Sequence, residues 1–314
     1  MKALQTVVYR LIFPNGIHLG GNKLSDAEST LRADTLFSAL CHEAQKIQVD
    51  GIEKLVALIR EGLRFSDAFP FDREELFLPK PMVSIRGEDR DSSQKKKYKK
   101  IDYIPLSEWS EYIAGNSDPD DILDVLEETR HQTVYTKILH RPVGDHEIYN
   151  LGVRYFPENA GLYFIMRCPE SRLGCMDELL YSLSYSGIGG KRKSGFGRFE
   201  IASADTEVPV DLKNLLTGSW NSWMSLTTSL PGREEGEKVV DGALGYEVIR
   251  RGGFIASADA KGNFRKPVRK RDIYFLRSGS VFRDRYRGEL YDVSPGYGHP
   301  VYRYGMPIFV GVKS

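Results

Sequence analysis

The run Gly187-Ile188-Gly189-Gly190-Lys191-Arg192-Lys193-Ser194-Gly195-Phe196-Gly197-Arg198-Phe199 sets five glycines around three consecutive cations. Glycine reaches positive φ without steric cost and lets backbone N–H groups approach a ligand, so the run reads as a phosphate cradle. Lys191, Arg192 and Lys193 add the charge that a polyanion needs. The flanking residues decide which polyanion. Upstream, Leu173, Met176, Leu179, Leu180 and Leu183 recur at helical spacing, which predicts a helix over 172–186 with Gly187 just past its end. Downstream, Phe196, Arg198 and Glu200 alternate with Gly197, Phe199 and Ile201, which predicts a strand over 196–203. Helix, glycine loop, strand is the reverse of a dinucleotide fingerprint, and Ser194 is misplaced for a G-x-x-x-x-G-K loop. The order suits a nucleic-acid backbone.

Outward from the loop the chain reads as α+β. Val7, Tyr9, Leu11 and Phe13 alternate with Val8, Arg10 and Ile12, a first strand over 4–13. Asp34 stands where a helix N-cap belongs, and Leu36, Phe37, Leu40, Cys41, Ala44 and Ile47 follow at helical spacing. Leu55, Val56, Leu58 and Ile59 give a second short helix. Together with the helix before the glycine loop and the strand after it, these form a β-α-β-β-α-β unit carrying an insertion from 78 to about 150. Within the insertion, Ser92 to Lys100 is a polar, basic tip expected to be a mobile loop, and Asp118-Pro119-Asp120-Asp121 starts a helix. Beyond 203, a helix is expected at 210–216, a charged turn region around 230–237, and strands at 223–229, 244–256, 272–277 and 306–312.

Composition narrows the classes. A chain of 314 residues holds two domains of ordinary size, and 44 cations against 43 anions leave a net charge of +1. Basic character is therefore local, as in a subunit whose surface partly meets protein partners. No apolar run reaches membrane-spanning length and the first residues lack a signal-peptide core, so a cytoplasmic location is expected. Cys41, Cys168 and Cys175 show no C-x-x-C pairing and read as small core residues. No spacing matches a metal, cofactor or nucleophile signature, so no cofactor is expected.

The glycine run resembles the glycine-rich loop of the RAMP superfamily of CRISPR-associated proteins. Four further segments resemble the fourth subunits of Csm (type III-A) effector complexes: Ile17 to Gly20, Arg32 to Leu40, Lys99 to Pro105 and Gly298 to Gly305. The matches run in order over nearly the whole chain. Tyr135 to Asp145, running into Tyr149 to Phe156, resembles the projecting hairpin, or thumb, of the superfamily. The resemblance implies two ferredoxin-like (RRM-like) domains: residues 1–205 with the thumb insertion at about 78–150, and a degenerate, strand-rich unit at 206–314. It also implies a non-catalytic subunit that holds the 5′ repeat-derived tag of CRISPR RNA (crRNA). Its implied protein partners are the backbone RAMP subunit and the large polymerase/cyclase-like subunit of the Csm complex. Carried onto this sequence, Gly189, Gly190 and Gly195 allow close approach, and Lys191, Arg192, Lys193 and Ser194 meet phosphates. Lys137 and Arg141 come from the thumb, and His18 and Arg32 line the opposite wall. The basic stretch Lys261 to Arg271 either extends an RNA track or forms a hairpin rim, and His299 is a turn or interface residue.

Two rival readings are kept. His18 lies where processing endoribonucleases of the superfamily place a catalytic histidine, which makes a metal-independent crRNA-processing nuclease the main alternative. Asp26 and Asp34 are analogues, by position only, of the acids that cut target RNA in backbone subunits. A protein scaffold whose glycine loop is only structural is the second rival.

Overall fold

The computed structural model describes residues 4–20, 23–85, 92–129, 131–139, 147–255, 268–296 and 299–313. Its centre is an antiparallel sheet buried on both faces. The first strand, β1 (Leu4–Ile12), pairs along its length with a later one spanning Ala160–Pro169, from Leu4 opposite Pro169 to Leu11 opposite Leu162. Val7, Tyr9, Leu11, Leu162, Phe164 and Met166 face one core, whereas Val8, Tyr163 and Ile165 face another. A strand covered on both sides is apolar at most positions, as in Leu162–Met166 and the Val7–Tyr9 stretch of β1.

Between those two strands lie β2 (Arg64–Phe65), β3 (Phe69–Asp72), β4 (Glu75–Pro79), β5 (Tyr103–Pro105) and a hairpin of β6 (His131–Leu139) and β7 (Glu147–Tyr155). With Ala160–Pro169 as β8 and Glu200–Asp205 as β9, the main sheet runs β5-β4-β3-β8-β1-β9, and β2 adds to β8. The first core is roofed by α1 (Ala33–Ile47), α2 (Gly51–Glu61) and a third helix at Leu173–Ser186. The hairpin stands apart from the main sheet.

The expected mobile tip at Ser92 to Lys100 is instead a helix, α3 (Ser92–Lys100), followed by α4 (Trp109–Ala114) and α5 (Pro119–Glu128). Tyr98 anchors it: the ring is buried, packs 6.2 Å from Tyr112, and its hydroxyl donates to Ser117 O. Lys97 donates to Asp120 at 2.5 Å, which draws α3 onto α5. Asp118 caps α5 as expected, its Oδ1 accepting from Asp120 N at 3.0 Å.

The helix at Leu173–Ser186, numbered α6, precedes α7 (Val210–Thr217) and α8 (Gly236–Asp241); the last begins within the expected turn region. Glu235 precedes that helix, and its carboxylate accepts from Gly232, Arg287 and Gly288 N–H groups, tying the turn before the helix to residues 287–288. The strands after residue 205 are short: β10 (Ser222–Ser225), β11 (Ala243–Gly245), β12 (Val248–Arg251), β13 (Phe254–Ile255), β14 (Val268–Arg269), β15 (Ile273–Leu276), β16 (Val281–Phe282), β17 (Leu290–Asp292), β18 (Tyr302–Tyr304) and β19 (Phe309–Val312). They make a four-stranded sheet, β11-β16-β10-β19, and several two-stranded pairs. Met224, Val281, Val310 and Val312 pack into the same core as Val8, Tyr163 and Ile165.

Buried carboxylates tie the start of α1 to the C-terminal half. Asp34 is not the cap of α1: it lies inside the first turn, where Arg251 grips it with two hydrogen bonds (3.0 and 2.9 Å) and Arg303 adds a third. The capping role falls to Asp67, whose Oδ1 accepts from Ala33 N at 2.8 Å across 34 residues, and which also accepts from Thr228 N and Oγ1. Burial alone would raise the Asp34 carboxyl, but the Arg251 and Arg303 guanidiniums hold it well below the usual carboxylate range. Asp34→Asn leaves two guanidiniums without their counter-charge, so the unfolding free energy should fall by about 3–5 kcal/mol in urea titration. With a depressed folded-state value, this contribution is full above the ordinary Asp value near 4 and is lost as pH falls below it. The variant should therefore show a flatter acid limb in stability against pH.

Candidate nucleic-acid interface

The glycine loop is closed by its own backbone. Gly187 N donates to Leu183 O to end α6, and Ile188 N donates to Gly197 O at 2.8 Å. Inside that closure, Ser194 N donates to Lys191 O and Gly195 N to Arg192 O, forming one tight turn at Arg192–Ser194. Ile188, Phe196 and Phe199 are buried and pin the two ends, while Lys191, Arg192, Lys193 and Ser194 are exposed. The expected strand over 196–203 therefore begins only at Glu200: loop closure takes the Gly197 carbonyl, and the Phe199 N–H donates to Ser184 O. Gly197 sits at φ +77°, and a Cβ there would lie 1.9 Å from Ile188 O.

Three segments meet at the loop. Gly197 N donates to Gly16 O, Gly190 N to His18 O, and Ile17 pairs with Arg154 at the base of β7. The His18 ring is only 4% exposed, with Nδ1 2.6 Å from Gly152 O. A carbonyl only accepts, so Nδ1 carries the proton. The ring lies under Gly190, where an added Cβ would come within 2.6 Å of Cδ2. His18 thus locks the loop to the hairpin.

The hairpin lays an aromatic and cationic face along the loop. Phe196 plugs into a cluster with Leu151 and Val153, bordered by Tyr149 and Tyr155. Lys137 Nζ lies 5.8 Å from the Phe196 ring and 5.9 Å from the Tyr135 ring, and Lys191 Nζ lies 4.6 Å from the Tyr149 ring. Ile138 and Ile148 face each other across the strands at 54% and 71% exposure. Lys137 therefore joins the loop cations. Arg141 lies outside the described residues. Arg32 is drawn elsewhere: its guanidinium binds Glu28 at 2.9 Å and Thr228 at 3.2 Å, and its side chain is 10% exposed.

On the other side of the loop, a cleft of about 780 Å³ opens between α1 and the C-terminal half. Its walls include His18, Gly189, Gly190 and Arg192, Lys270 from the basic stretch, and also His42, Arg251 and Arg303, which sequence reasoning did not assign. Burial lowers the proton affinities of His42 and Lys270, and neighbouring cations lower them further. Of the basic stretch Lys261 to Arg271, residues 261–267 lie outside the described residues, and Arg269 pairs with Asp272 at 2.9 Å. His299 is exposed beside the neighbouring groove, its Nδ1 3.0 Å from Pro300 O. Among the described residues no group of three or more His, Cys, Asp or Glu is placed to hold a metal, and no helix is long and apolar enough to cross a membrane.

The arrangement is a backbone cradle with exposed cations, an aromatic hairpin on one side and a basic cleft on the other. A model of the RAMP superfamily matches residues 14–200, and a model of the CRISPR Csm4 C-terminal domain matches residues 219–312. The CRISPR system Cms protein Csm4 of Mycobacterium tuberculosis is 35% identical over 299 residues, covering 94% of each chain. The chain belongs to the Csm4 family. Another member, Csm4 of Streptococcus thermophilus, is 33% identical over 316 residues, covering 96% of this chain and 97% of its own. Among solved structures, the fold is similar to a chain of the Csm3–Csm4 subcomplex in the type III-A CRISPR-Cas interference complex. That match has a TM-score of 0.63 and 18% identity, and covers 99% of this chain and 100% of the other. It is equally similar to a chain of a Csm1–Csm4 cassette in complex with pppApA, at TM-score 0.63, 19% identity and 98% coverage of both chains. In this Csm4-family chain the glycine loop falls inside the RAMP match, whereas Arg251, Lys270 and Arg303 fall inside the C-terminal match.

The loop geometry separates two glycines. At Gly195, φ +89° with open space around the missing Cβ, alanine should cost only the left-handed penalty of about 1–2 kcal/mol. At Gly197 the added methyl also drives Ile188 away and breaks loop closure, so Gly197→Ala should lower the urea midpoint well beyond Gly195→Ala.

Proposed function

We propose that this chain is a non-catalytic RNA-binding subunit of a type III-A CRISPR effector complex, gripping the 5′ repeat-derived tag of crRNA. The observation that carries the reading is the closed glycine loop, which holds Lys191, Arg192 and Lys193 in solvent beside the aromatic hairpin. Membership of the Csm4 family supports it. Phosphates of the strand meet the loop cations and N–H groups, while bases meet the Tyr135 and Tyr149 rings, the way single-stranded RNA is commonly held.

The strand order β3-β8-β1-β9 with α1 and α6 over one face supports a ferredoxin-like first unit, within residues 1–205. In this reading β6 and β7 are its thumb, whose exposed Ile138 and Ile148 wedge between bases. Residues 206–314 form the second, degenerate unit and share a core with the first. The similar folds come from a Csm3–Csm4 subcomplex and a Csm1–Csm4 cassette, which supports contacts with a backbone RAMP subunit and the large subunit. His18, buried and bonded through Nδ1, acts as a structural lock on this reading.

The test is incubation of the full chain with labelled repeat-derived RNA in chelator, scoring retention and cleavage. Wild type should bind without cutting. Replacing Lys191, Arg192 and Lys193 together with alanine should flatten the log–log salt dependence of binding by roughly 2 units, at about 0.7 per phosphate on a single strand. Cleavage that disappears in His18→Ala would overturn the non-catalytic reading in favour of a processing nuclease.

A further inference from the structure

The cleft beyond the glycine loop is lined by two cations and a histidine that come from three separate elements. His42 comes from α1, Arg192 from the loop and Lys270 from the turn after β14, and all three line one wall system. Among the described residues no carboxylate binds any of them. Arg192 makes one long contact, 3.4 Å to Gly187 O, and Lys270 is held only through its backbone N–H to Gly253 O. The acids close by are already engaged. Asp34 is gripped by Arg251 and Arg303, and Glu43 accepts from Lys46 and Ser182.

Like charges brought to one cleft from separate elements repel one another, and neighbouring cations lower the proton affinity of both titrating groups. His42 loses proton affinity to burial first and then to Lys270 and Arg192, and Lys270 to burial and then Arg303. Arg303, 7% exposed, lines the same cleft with its Nε buried and without an acceptor. Such a cluster is stabilised when an anion enters. The space is large enough: the cleft of about 780 Å³ continues past Ser38, His42, Lys270 and Tyr302 into a second groove of about 590 Å³ that reaches His299.

We propose that Arg192, Lys270 and His42 form a second phosphoryl subsite, separate from the backbone cradle, which holds a phosphate of the RNA strand as it passes from the glycine loop into the cleft. The inference rests on the reading of the loop as an RNA site. Arg192 belongs to both subsites and is the corner at which the strand turns. The neutral His42 imidazole offers one N–H donor, and Lys270 supplies the unpaired charge.

The test is fluorescence anisotropy of the full chain with single-stranded repeat-derived RNA across a salt series, using wild type, Lys270→Ala, Lys191→Ala/Lys193→Ala and all three substitutions together. Lys270→Ala should lower the log–log slope by about 0.7, the loop pair by about 1.4, and the combination by about 2.1, because separate phosphates contribute additively. Because Lys270 has no carboxylate partner, the thermal midpoint of Lys270→Ala should not fall. A slope unchanged in Lys270→Ala but lowered in the loop pair would overturn the subsite and leave the loop as the RNA site. Slopes unchanged in both would overturn the loop reading itself. A calorimetric arm with inorganic pyrophosphate separates the other source of the same chemistry. Lys270-dependent pyrophosphate binding together with an unchanged RNA slope would assign the pocket to a free phosphate and overturn the strand assignment.

Discussion

Two carboxylates sealed between the halves of the chain set the geometry on which the rest depends. Asp34 gathers Arg251 and Arg303, and Asp67 gathers the Ala33 N–H and both donors of Thr228. Charges placed in a low-dielectric interior are costly unless fully paired, so each bond constrains both the partner and the backbone that carries it. The consequence is positional. β12 and β18, which carry the two arginines, are held against the first turn of α1, and the cleft beside the glycine loop acquires a floor.

Around that joint the main sheet acts as a shared wall. β1 and β8 send alternate residues into two cores, one under α1, α2 and α6 and the other under the C-terminal sheet. Because both faces are buried, a register slip by one residue would exchange the two sets of side chains, so the pairing is strongly specified. The glycine loop hangs from this wall between α6 and β9. Its closure depends on Gly197 and its docking on the His18 ring, so a flexible-looking sequence is held in one shape.

Much of the first half was legible from local pattern. β1, α1, α2, α5 and α6 follow from periodicity and capping residues, and the loop cations from their spacing. Three readings failed for identifiable reasons. Asp34 looked like an N-cap because aspartate before an apolar periodic run usually is one, but its partners lie 217 and 269 residues away. Ser92 to Lys100 looked like a loose basic tip, since a single aromatic, Tyr98, carries the packing that makes it helical. The strand expected from 196 starts at Glu200 because alternation cannot reveal that backbone groups of 197 and 199 are engaged in the loop and α6.

Sequence by itself determined the α+β class, the position of the basic glycine loop, and the family resemblance, because each is written in residues close together along the chain. Tertiary structure alone decided which side chains surround that loop. It withdrew Arg32 into a salt bridge, buried His18 as a lock, and brought His42 and Lys270 to the cleft from segments with no shared local signal. The physical reason is that periodicity and turn chemistry act over a few residues. Charge pairing and burial act through space and are settled only when distant segments pack.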